Sequence, residues 1–378
     1  MAAYSSTKQE SAVGVKLLAL FLGVVVTFMG FFGLWLALSA QHARDDANKA
    51  ASRVASSPAQ VAARPAAGEG TYASPSFAGI APANADALAM AHAAAPAVLK
   101  PAPAGPVASV RLLIENSVVS IAPGIRYDAW TFNGTVPAPA IHVRQGQLVK
   151  VTLVNQAPMP HSVDFHAARI APNIAFSDVA PGASKTFTFR ASDPGVFMFH
   201  CGTAPTFEHI ANGMYGAIVV EPAGMPRADV QYVLVSSEWY LNAPGDEAPA
   251  GLDLVKAEQM TPDWVTWNGY AAQYKTHPLT AMPGQTVRFW VVDAGPSLNT
   301  DFHVVGTLLN RAWLNADLRD APQHDIQTAL VPAGGGGVFD VKIDQPGLYP
   351  FVSHSFASVM LGEVGLLNVG HVAGTMSH

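Results

Sequence analysis

The sequence predicts an all-β protein whose body is built from two similar β-sandwich domains. Two observations support this fold class. From residue 107 onward, short runs of alternating apolar residues are separated by turn residues, a pattern typical of antiparallel sandwiches, and no long amphipathic helix pattern occurs. In addition, four short motifs occur twice in the same order, which indicates two copies of one fold.

The composition restricts the classes of function. The chain has 378 residues, which is enough for two domains of ordinary size and additional segments. Only 13% of the residues are charged and the formal net charge is −6, so a basic surface for nucleic acid is not expected. The single cysteine excludes an intrachain disulfide, and an oxidising compartment is neither required nor excluded by it.

The first segment of the chain predicts a membrane anchor. Residues 17–38 are uncharged, and about 20 apolar residues suffice to span a bilayer. A cleaved signal peptide is the alternative, but its apolar core is shorter, roughly 7–15 residues. Because Lys8 and Lys16 precede the apolar run, we expect a cytoplasmic tail over residues 1–16. Residues 17–38 then form a single-pass transmembrane helix in the cell membrane, with the remaining chain on the periplasmic side.

The segment that follows the anchor predicts a linker. Residues 39–106 consist largely of Ala, Pro, Gly and Ser. Such a composition offers few large apolar side chains to bury and many breaks in regular structure. We therefore expect a disordered Ala/Pro-rich linker between the membrane and the folded body.

The repeated motifs divide the rest of the chain into two domains, residues 107–224 and residues 225–370, with a tail over residues 371–378. The paired motifs are TFNG at 131–134 with TWNG at 266–269, QGQ at 145–147 with PGQ at 283–285, DFH at 164–166 with DFH at 301–303, and PGVF at 194–197 with PGLY at 346–349. In this alignment Cys201 corresponds to Ser353. The second domain therefore cannot repeat a thiolate site.

One segment of the first domain carries soft metal ligands. Residues 199–216, FHCGTAPTFEHIANGMYG, contain the only cysteine together with His200, His209 and Met214. A thiolate, imidazoles and a thioether suit copper in a trigonal His2Cys site with a weak axial methionine. The alternative is a buried structural cysteine beside unrelated histidines, and the close order of Cys, His and Met favours the metal site.

Alternation along extended backbone separates two sites. In the stretch MPHSVDFHAA, side chains of a strand would point to opposite faces with period two, so His161 and His166 point apart while Asp164 shares a face with His166. The same rule separates His200 from Cys201. One site would then collect the four soft ligands: His161, Cys201, His209 and Met214.

The other site would collect His166 and His200, with Asp164 close by. Two imidazoles leave a catalytic metal short of ligands, because such sites usually have three protein ligands and an open position. A third histidine is therefore needed. His303 and His354, both in the second domain, are the candidates.

Four motifs, HSVDFH, FHC, HIANGM and SHSF, together resemble those of the copper-containing nitrite reductases of the multicopper oxidase superfamily. The resemblance extends from about Val110 to Val369. It implies two tandem Greek-key cupredoxin β-sandwich domains in a homotrimer with two coppers per subunit, type 1 and type 2. It also implies an oxidoreductase of denitrification that reduces nitrite to nitric oxide, with one electron passing from type 1 to type 2 copper. The electron donor would be a protein such as a c-type cytochrome or a small cupredoxin.

The resemblance implies a role for each matching residue. The type 1 copper ligands would be His161, Cys201, His209 and Met214. The type 2 copper ligands would be His166, His200 and His354, the last from the neighbouring subunit. Asp164 and His303 resemble the catalytic pair, and Val305 takes the place of an aliphatic residue that shapes the substrate pocket. Two details differ from the common pattern: the gap from Cys201 to His209 is one residue shorter, and Glu208 stands where an aromatic residue is frequent.

Two other functions share parts of this pattern. A two-domain laccase-like multicopper oxidase would have the same fold and type 1 site, but its trinuclear cluster needs several HxH pairs and an HCH motif. The sequence has no HxH, and Cys201 is followed by Gly202. A membrane-tethered cupredoxin that only carries electrons would explain the first site but not the second. We therefore favour the reductase.

Several histidines and tryptophans are given no role in these sites. His142, His277 and His324 are predicted to lie on the surface or in loops. Trp267 lies within a repeated motif and Trp130 directly precedes one, so both are predicted to be core residues.

Overall fold

The computed structural model describes residues 84–374, and within this range the protein is mostly β. The prediction of β-sandwich domains with few helices is confirmed for this range. No helix within residues 84–374 has both the length and the apolar character needed to cross a membrane. The expected transmembrane helix over residues 17–38 lies outside the described residues.

The first eight strands belong to the first sandwich. Its elements are β1 (Val107–Ala122), β2 (Ile125–Phe132), β3 (Ala138–Arg144), β4 (Leu148–Asn155), β5 (Asp164–Phe165), α2 (Pro172–Ala175), β6 (Ser184–Arg190), β7 (Gly195–His200), α3 (Thr206–Ala211) and β8 (Tyr215–Glu221), preceded by helix α1 (Ala85–Ala91). Two sheets form, in the orders β2-β1-β4-β6 and β3-β8-β7-β5. Between them lies an apolar core that includes Phe132, Phe165 and Phe199.

The next ten strands form the second sandwich. Its elements are β9 (Val230–Trp239), α4 (Leu254–Glu258), β10 (Trp264–Trp267), α5 (Gln273–Thr276), β11 (Leu279–Ala281), β12 (Thr286–Asp293), β13 (Thr300–Val304), β14 (Arg311–Trp313), a 3-10 turn (Leu314–Ala316), β15 (Ala329–Val331), β16 (Gly336–Lys342), β17 (Gly347–Ser353), α6 (Phe356–Met360) and β18 (Val364–Val369). Its sheets have the orders β10-β9-β12-β16-β14 and β11-β18-β17-β13-β15. Phe289, Phe302 and Phe351 pack in its core.

The sheets are mixed rather than purely antiparallel, which corrects the prediction from alternation. Four strand pairs are parallel: β1 with β4, β3 with β8, β9 with β12, and β11 with β18. Alternation of apolar residues reports which face of a strand is buried and carries no information about the direction of its neighbour. The parallel pairs occur at matching places in the two domains, as expected for an internal repeat.

Strand β7 contacts both domains. Phe197 and Phe199 pack in the first core, whereas Val196 and Met198 pack in a separate apolar cluster with Trp290 of strand β12. Successive side chains of β7 therefore point alternately into the first sandwich and toward the second. This alternation determines which way the side chains of His200 and Cys201 point at the C-terminal end of β7.

The prediction of a disordered linker is wrong for residues 84–106. Strand β10 covers only the last part of β9, and residues 97–99 lie along the remaining backbone of β9. Leu99 N donates to the Gln231 carbonyl at 3.0 Å, and Val233 N donates to the Ala97 carbonyl at 2.7 Å. An open strand edge can hold a segment through its backbone alone, so an Ala/Pro-rich composition does not prevent pairing.

Candidate metal centres

The end of strand β7 places two potential metal ligands on opposite sides. Cys201 follows Phe197 and Phe199 in the alternation and has its thiol in the first core. His200 follows Val196 and Met198 and faces the second domain. Two separate clusters of ligand atoms result, one around each residue.

The first cluster consists of His161, Cys201 and His209, whose ligand atoms all lie within 4.8 Å of one another. Nδ1 of His209 lies 3.1 Å from Sγ of Cys201 and 3.1 Å from Nδ1 of His161. The distance from Sγ to Nδ1 of His161 is 3.7 Å. All three side chains are buried. Two nitrogens and one sulfur therefore converge on a single dry point.

Met214 lies next to this cluster in the fold. It is fully buried in the first core, and its carbonyl accepts a hydrogen bond from Cys201 N at 3.0 Å. Its own N–H donates to the carbonyl of His209 at 3.1 Å. Helix α3, which carries His209, is thus connected by backbone hydrogen bonds to the strand end that carries the cysteine. A weak axial thioether from Met214 fits this arrangement.

The protonation of the first cluster suits metal binding. Burial lowers the pKa of His161 to about 4 and lowers the pKa of His209, so both imidazoles are neutral near pH 7. Burial raises the pKa of the Cys201 thiol, against hydrogen bonds from Ser162 and Thr203 that lower it. The thiolate therefore needs a nearby positive charge. A copper ion would supply that charge, and the set of two imidazoles, a thiolate and a thioether fits copper.

The second cluster consists of Asp164, His166 and His200. The Nε2 atoms of the two histidines lie 3.1 Å apart. Nδ1 of His200 lies 2.8 Å from the Cys201 carbonyl, and Nδ1 of His166 lies 2.9 Å from the Gly334 carbonyl. Since a carbonyl only accepts, each Nδ1 carries the hydrogen and each Nε2 lone pair is free for a metal. Burial is the main cause that lowers the pKa of His200.

Asp164 stands beside these histidines because of strand pairing. It pairs with His200 across β5 and β7, and it is half-buried. Its carboxylate belongs to the same group of ligand atoms within 4.8 Å. A carboxyl at the rim of a metal position can exchange protons with a bound ligand.

The second-domain histidines form a pair of their own. The ring centroids of His303 and His354 are 5.4 Å apart. Nδ1 of His303 donates to the Gln327 carbonyl at 2.7 Å, and His354 N donates to the Asp301 carbonyl at 2.6 Å. His354 is exposed, and Val305 on the same surface is 38% exposed. Neither metal-ligand group found in residues 84–374 contains His303 or His354.

Trp130 and Gly334 contact the clusters and were not identified from the sequence. The Trp130 ring meets His209 edge-on with centroids 4.9 Å apart and His161 at 5.7 Å. Its position directly before the TFNG motif suggested a core residue. The Gly334 carbonyl fixes His166 from the second domain. Neither contact has a local sequence signal, because each joins segments far apart in the chain.

Comparisons with known proteins identify the family of this chain. The family model described as multicopper oxidase matches residues 114–224. The copper-containing nitrite reductase of Neisseria meningitidis serogroup B is 37% identical over 273 residues, 69% of this chain and 69% of the relative. That of Alcaligenes xylosoxydans is 31% identical over 282 residues, 69% of this chain and 84% of the relative. The solved copper nitrite reductase from Nitrosomonas europaea is 33% identical with a TM-score of 0.65, covering 71% of this chain and 95% of that one.

Proposed function

Because the chain belongs to the family of copper-containing nitrite reductases, we propose that it reduces nitrite to nitric oxide. The reaction takes one electron and two protons and releases nitric oxide and water. Copper is the cofactor, and the two clusters would bind type 1 and type 2 copper. When bound, it supplies one-electron chemistry at the first cluster and an open ligand position at the second.

The observation that carries this proposal is the adjacency of His200 and Cys201. One peptide unit separates a residue of the soft cluster from a residue of the histidine cluster. The side chains and backbone of these two residues, with the hydrogen bond from His200 Nδ1 to the Cys201 carbonyl, make a short path between the centres. An isolated electron carrier would have no use for the second cluster.

Asp164 of the second cluster and His303 of the second domain would handle protons. Asp164 can hold a proton at a carboxyl oxygen within reach of a ligand bound between His166 and His200. His303, whose Nδ1 is engaged by Gln327, has Nε2 available for a second proton. Val305 would limit the space above the metal with an apolar surface. These roles match the need for two protons per nitrite.

We propose that the third type 2 ligand, His354, comes from a neighbouring subunit of a homotrimer. His354 is exposed in the single chain, so a second chain can reach it. Exposed apolar side chains lie close to His354 in the chain or on the strand paired with β13: Leu330 is 54% exposed, Phe356 54% and Met360 52%. Such exposed apolar groups around a polar residue fit a subunit interface.

We also propose that the enzyme is anchored in the cell membrane. The apolar run at residues 17–38 would hold the chain in the cell membrane with its copper domains in the periplasm. An electron donor such as a c-type cytochrome or a small cupredoxin would then meet the first domain in that compartment.

Of the alternative functions, the laccase-like oxidase needs a trinuclear copper cluster. No arrangement of histidines in residues 84–374 favours such a cluster.

The proposal is tested by copper quantitation, electron paramagnetic resonance and a nitrite-dependent nitric oxide assay on one preparation. We expect two coppers per chain of distinct spectroscopic type and nitric oxide release that requires nitrite and a reductant. Oxygen consumption with the signature of a trinuclear cluster would instead support the laccase-like oxidase. A single type 1 copper without nitric oxide would support the electron carrier.

A further inference from the structure

Among the described residues of the second domain, three buried carboxyl groups have no ion-pair partner and no part in the proposed reaction. Glu238, Asp293 and Glu363 are 3%, 2% and 1% exposed. None of the ion pairs within residues 84–374 involves any of them. Burying three carboxylates without a cation is costly, so the group must hold protons. We refer to these three residues as the carboxyl cluster.

One member of the carboxyl cluster, Glu363, stands at the position in the second domain that corresponds to the first metal centre of the first domain. The segment NGMYG before strand β8 corresponds to LGEVG before strand β18, so Glu363 stands where Met214 stands. The backbone geometry is repeated as well: Glu363 N donates to the Ser358 carbonyl at 2.9 Å, as Met214 N does to His209. Ser353 takes the place of Cys201. The second domain therefore has a buried carboxyl and a hydroxyl at the positions where the first domain has a thioether and a thiol.

Glu363 connects the strand ends around it. Its Oε1 accepts hydrogen bonds from the hydroxyls of Ser236, at 2.6 Å, and Thr300. Strands β17 and β18 pair at Val352 and Val364, so Glu363 lies beside Ser353, whose hydroxyl opposes the rise in the pKa of this carboxyl. Thr300 begins strand β13 and Ser353 ends strand β17. One carboxyl is therefore hydrogen-bonded to the start of β13, which carries His303, and lies beside the end of β17, which directly precedes His354.

The connection continues from Ser353 to the histidine. Ser353 Oγ accepts a hydrogen bond from Asp301 N at 3.0 Å, and the Asp301 carbonyl accepts from His354 N at 2.6 Å. The Asp301 carboxylate accepts from Ser355 Oγ at 2.7 Å. The backbone on both sides of His354 is thus fixed by Asp301, whose position depends on Ser353.

Asp293 links the carboxyl cluster to the second cluster of the same chain. Its carbonyl accepts a hydrogen bond from Gly334 N at 2.8 Å, and the Gly334 carbonyl accepts from His166 Nδ1 at 2.9 Å. Its Oδ1 accepts from Gly295 N at 2.8 Å, whereas its Oδ2 is buried without a partner. A buried carboxyl with an unpartnered oxygen is less costly when it is protonated and neutral than when it is charged.

The other titratable groups that face the carboxyl cluster are tyrosines. Tyr240 donates to Glu238 Oε2, and the buried hydroxyl of Tyr215 on strand β8 also faces Glu238. Burial raises the pKa of both tyrosines above their usual value, so neither supplies a charge near pH 7. Burial also raises the pKa of Glu363 to about 7 and raises that of Asp293 well above its usual range.

We propose that Glu363 is a positioning residue for the second metal centre, which fixes His303 and His354 through Thr300 and Ser353 while the carboxyl cluster holds a proton. This inference rests on the proposed function, because it assigns the second centre to type 2 copper. Ionisation of the cluster would add an uncompensated buried charge and loosen the two strand ends. The geometry of the second centre therefore depends on pH through Glu363, which contacts none of its three proposed ligands.

The test uses the copper-loaded full-length chain and three variants. Glu363→Met introduces the residue that stands at this place in the first domain and removes both carboxyl oxygens. Glu363→Gln keeps an acceptor oxygen and the size of the side chain but cannot ionise. Glu258→Gln, on the exposed face of α4, is the matched control. The readouts are the type 1 absorption, the type 2 resonance and nitrite turnover, each followed as a function of pH.

We expect Glu363→Met to lower both the type 2 copper resonance and nitrite turnover at least about tenfold with the type 1 absorption unchanged. Glu363→Gln should keep a wild-type resonance at about pH 6 and lose the change that the wild type shows above about pH 7. A wild-type resonance in Glu363→Met, or an unaltered pH dependence in Glu363→Gln, overturns the proposal. If Glu363→Met does not fold, the Gln comparison decides. If the wild type shows the type 2 resonance but produces no nitric oxide, the proposed function is wrong. The comparison of the resonance between the wild type and the variants still tests the role of Glu363.

Discussion

The side chains of His200 and Cys201 are adjacent in the chain but belong to different clusters of ligand atoms. Sγ of Cys201 lies 3.1 Å from Nδ1 of His209, and Nε2 of His200 lies 3.1 Å from Nε2 of His166. Strand alternation at the end of β7 produces this split without any special backbone conformation. It gives the protein two metal environments of opposite character: one is dry and contains the single thiolate, and the other is polar and is contacted by the second domain.

The first prediction concerns the thiolate. Cys201→Ser removes the only sulfur anion of the first cluster and leaves His166 and His200 in place, so it should abolish the intense visible absorption of type 1 copper. A type 2 resonance should remain. Absorption and electron paramagnetic resonance spectra on copper-loaded protein check this. A variant that keeps its colour would show that the assignment of the first cluster is wrong.

The second prediction concerns proton transfer. Asp164→Asn keeps the size of the side chain but removes its ability to hold a proton beside His166 and His200. We expect both coppers to stay bound and nitrite turnover to fall by about 100-fold or more. Asp128→Asn, on the exposed face of strand β2, is the control and should be neutral. Near-normal turnover in Asp164→Asn would contradict the role of this carboxyl.

The sequence was most informative where local rules decide the outcome. Alternation and the internal repeat predict the sandwiches, and alternation alone separates His200 from Cys201. Contacts between distant segments were not predictable in this way. The pairing of residues 97–99 with β9 depends on an open strand edge, and the carboxyl cluster depends on three strands that meet in the second domain. Composition and spacing contain no information about either.

The third prediction concerns Trp130, whose edge contacts cover His161 and His209. Trp130→Ala should open the first centre to water and lower the free energy of unfolding by about 1–3 kcal/mol, from lost burial and two aromatic contacts. Copper should then be lost to a chelator several times faster. Trp130→Phe keeps an aromatic edge and should remain close to wild type. The decay of the visible absorption measures the loss, and equal rates in all three proteins would exclude this shielding.

The fourth prediction concerns stability against pH. The pKa of Glu363 is raised from 4.5 to about 7, mainly by burial, so the folded protein binds this proton more tightly than the unfolded chain. The resulting stabilisation is fully present below about pH 4.5 and is lost as the pH rises through about 7. At about 1.4 kcal/mol per pKa unit, it amounts to about 3 kcal/mol. Denaturant unfolding should show this loss between about pH 5 and pH 8 in the wild type but not in Glu363→Gln, and parallel curves would contradict it.

The last prediction concerns the origin of the third type 2 ligand. If His354 comes from a neighbouring chain, purified protein should be a trimer by light scattering, and His354→Ala and His166→Ala should each be inactive alone. Subunits of the two variants, unfolded and reassembled together in equal amounts, should recover about a quarter of the wild-type activity, because that share of interfaces combines two intact halves. Mixing His166→Ala with His200→Ala is the control and should recover none, since both changes affect the same half. A copper-replete, active monomer would contradict the shared site.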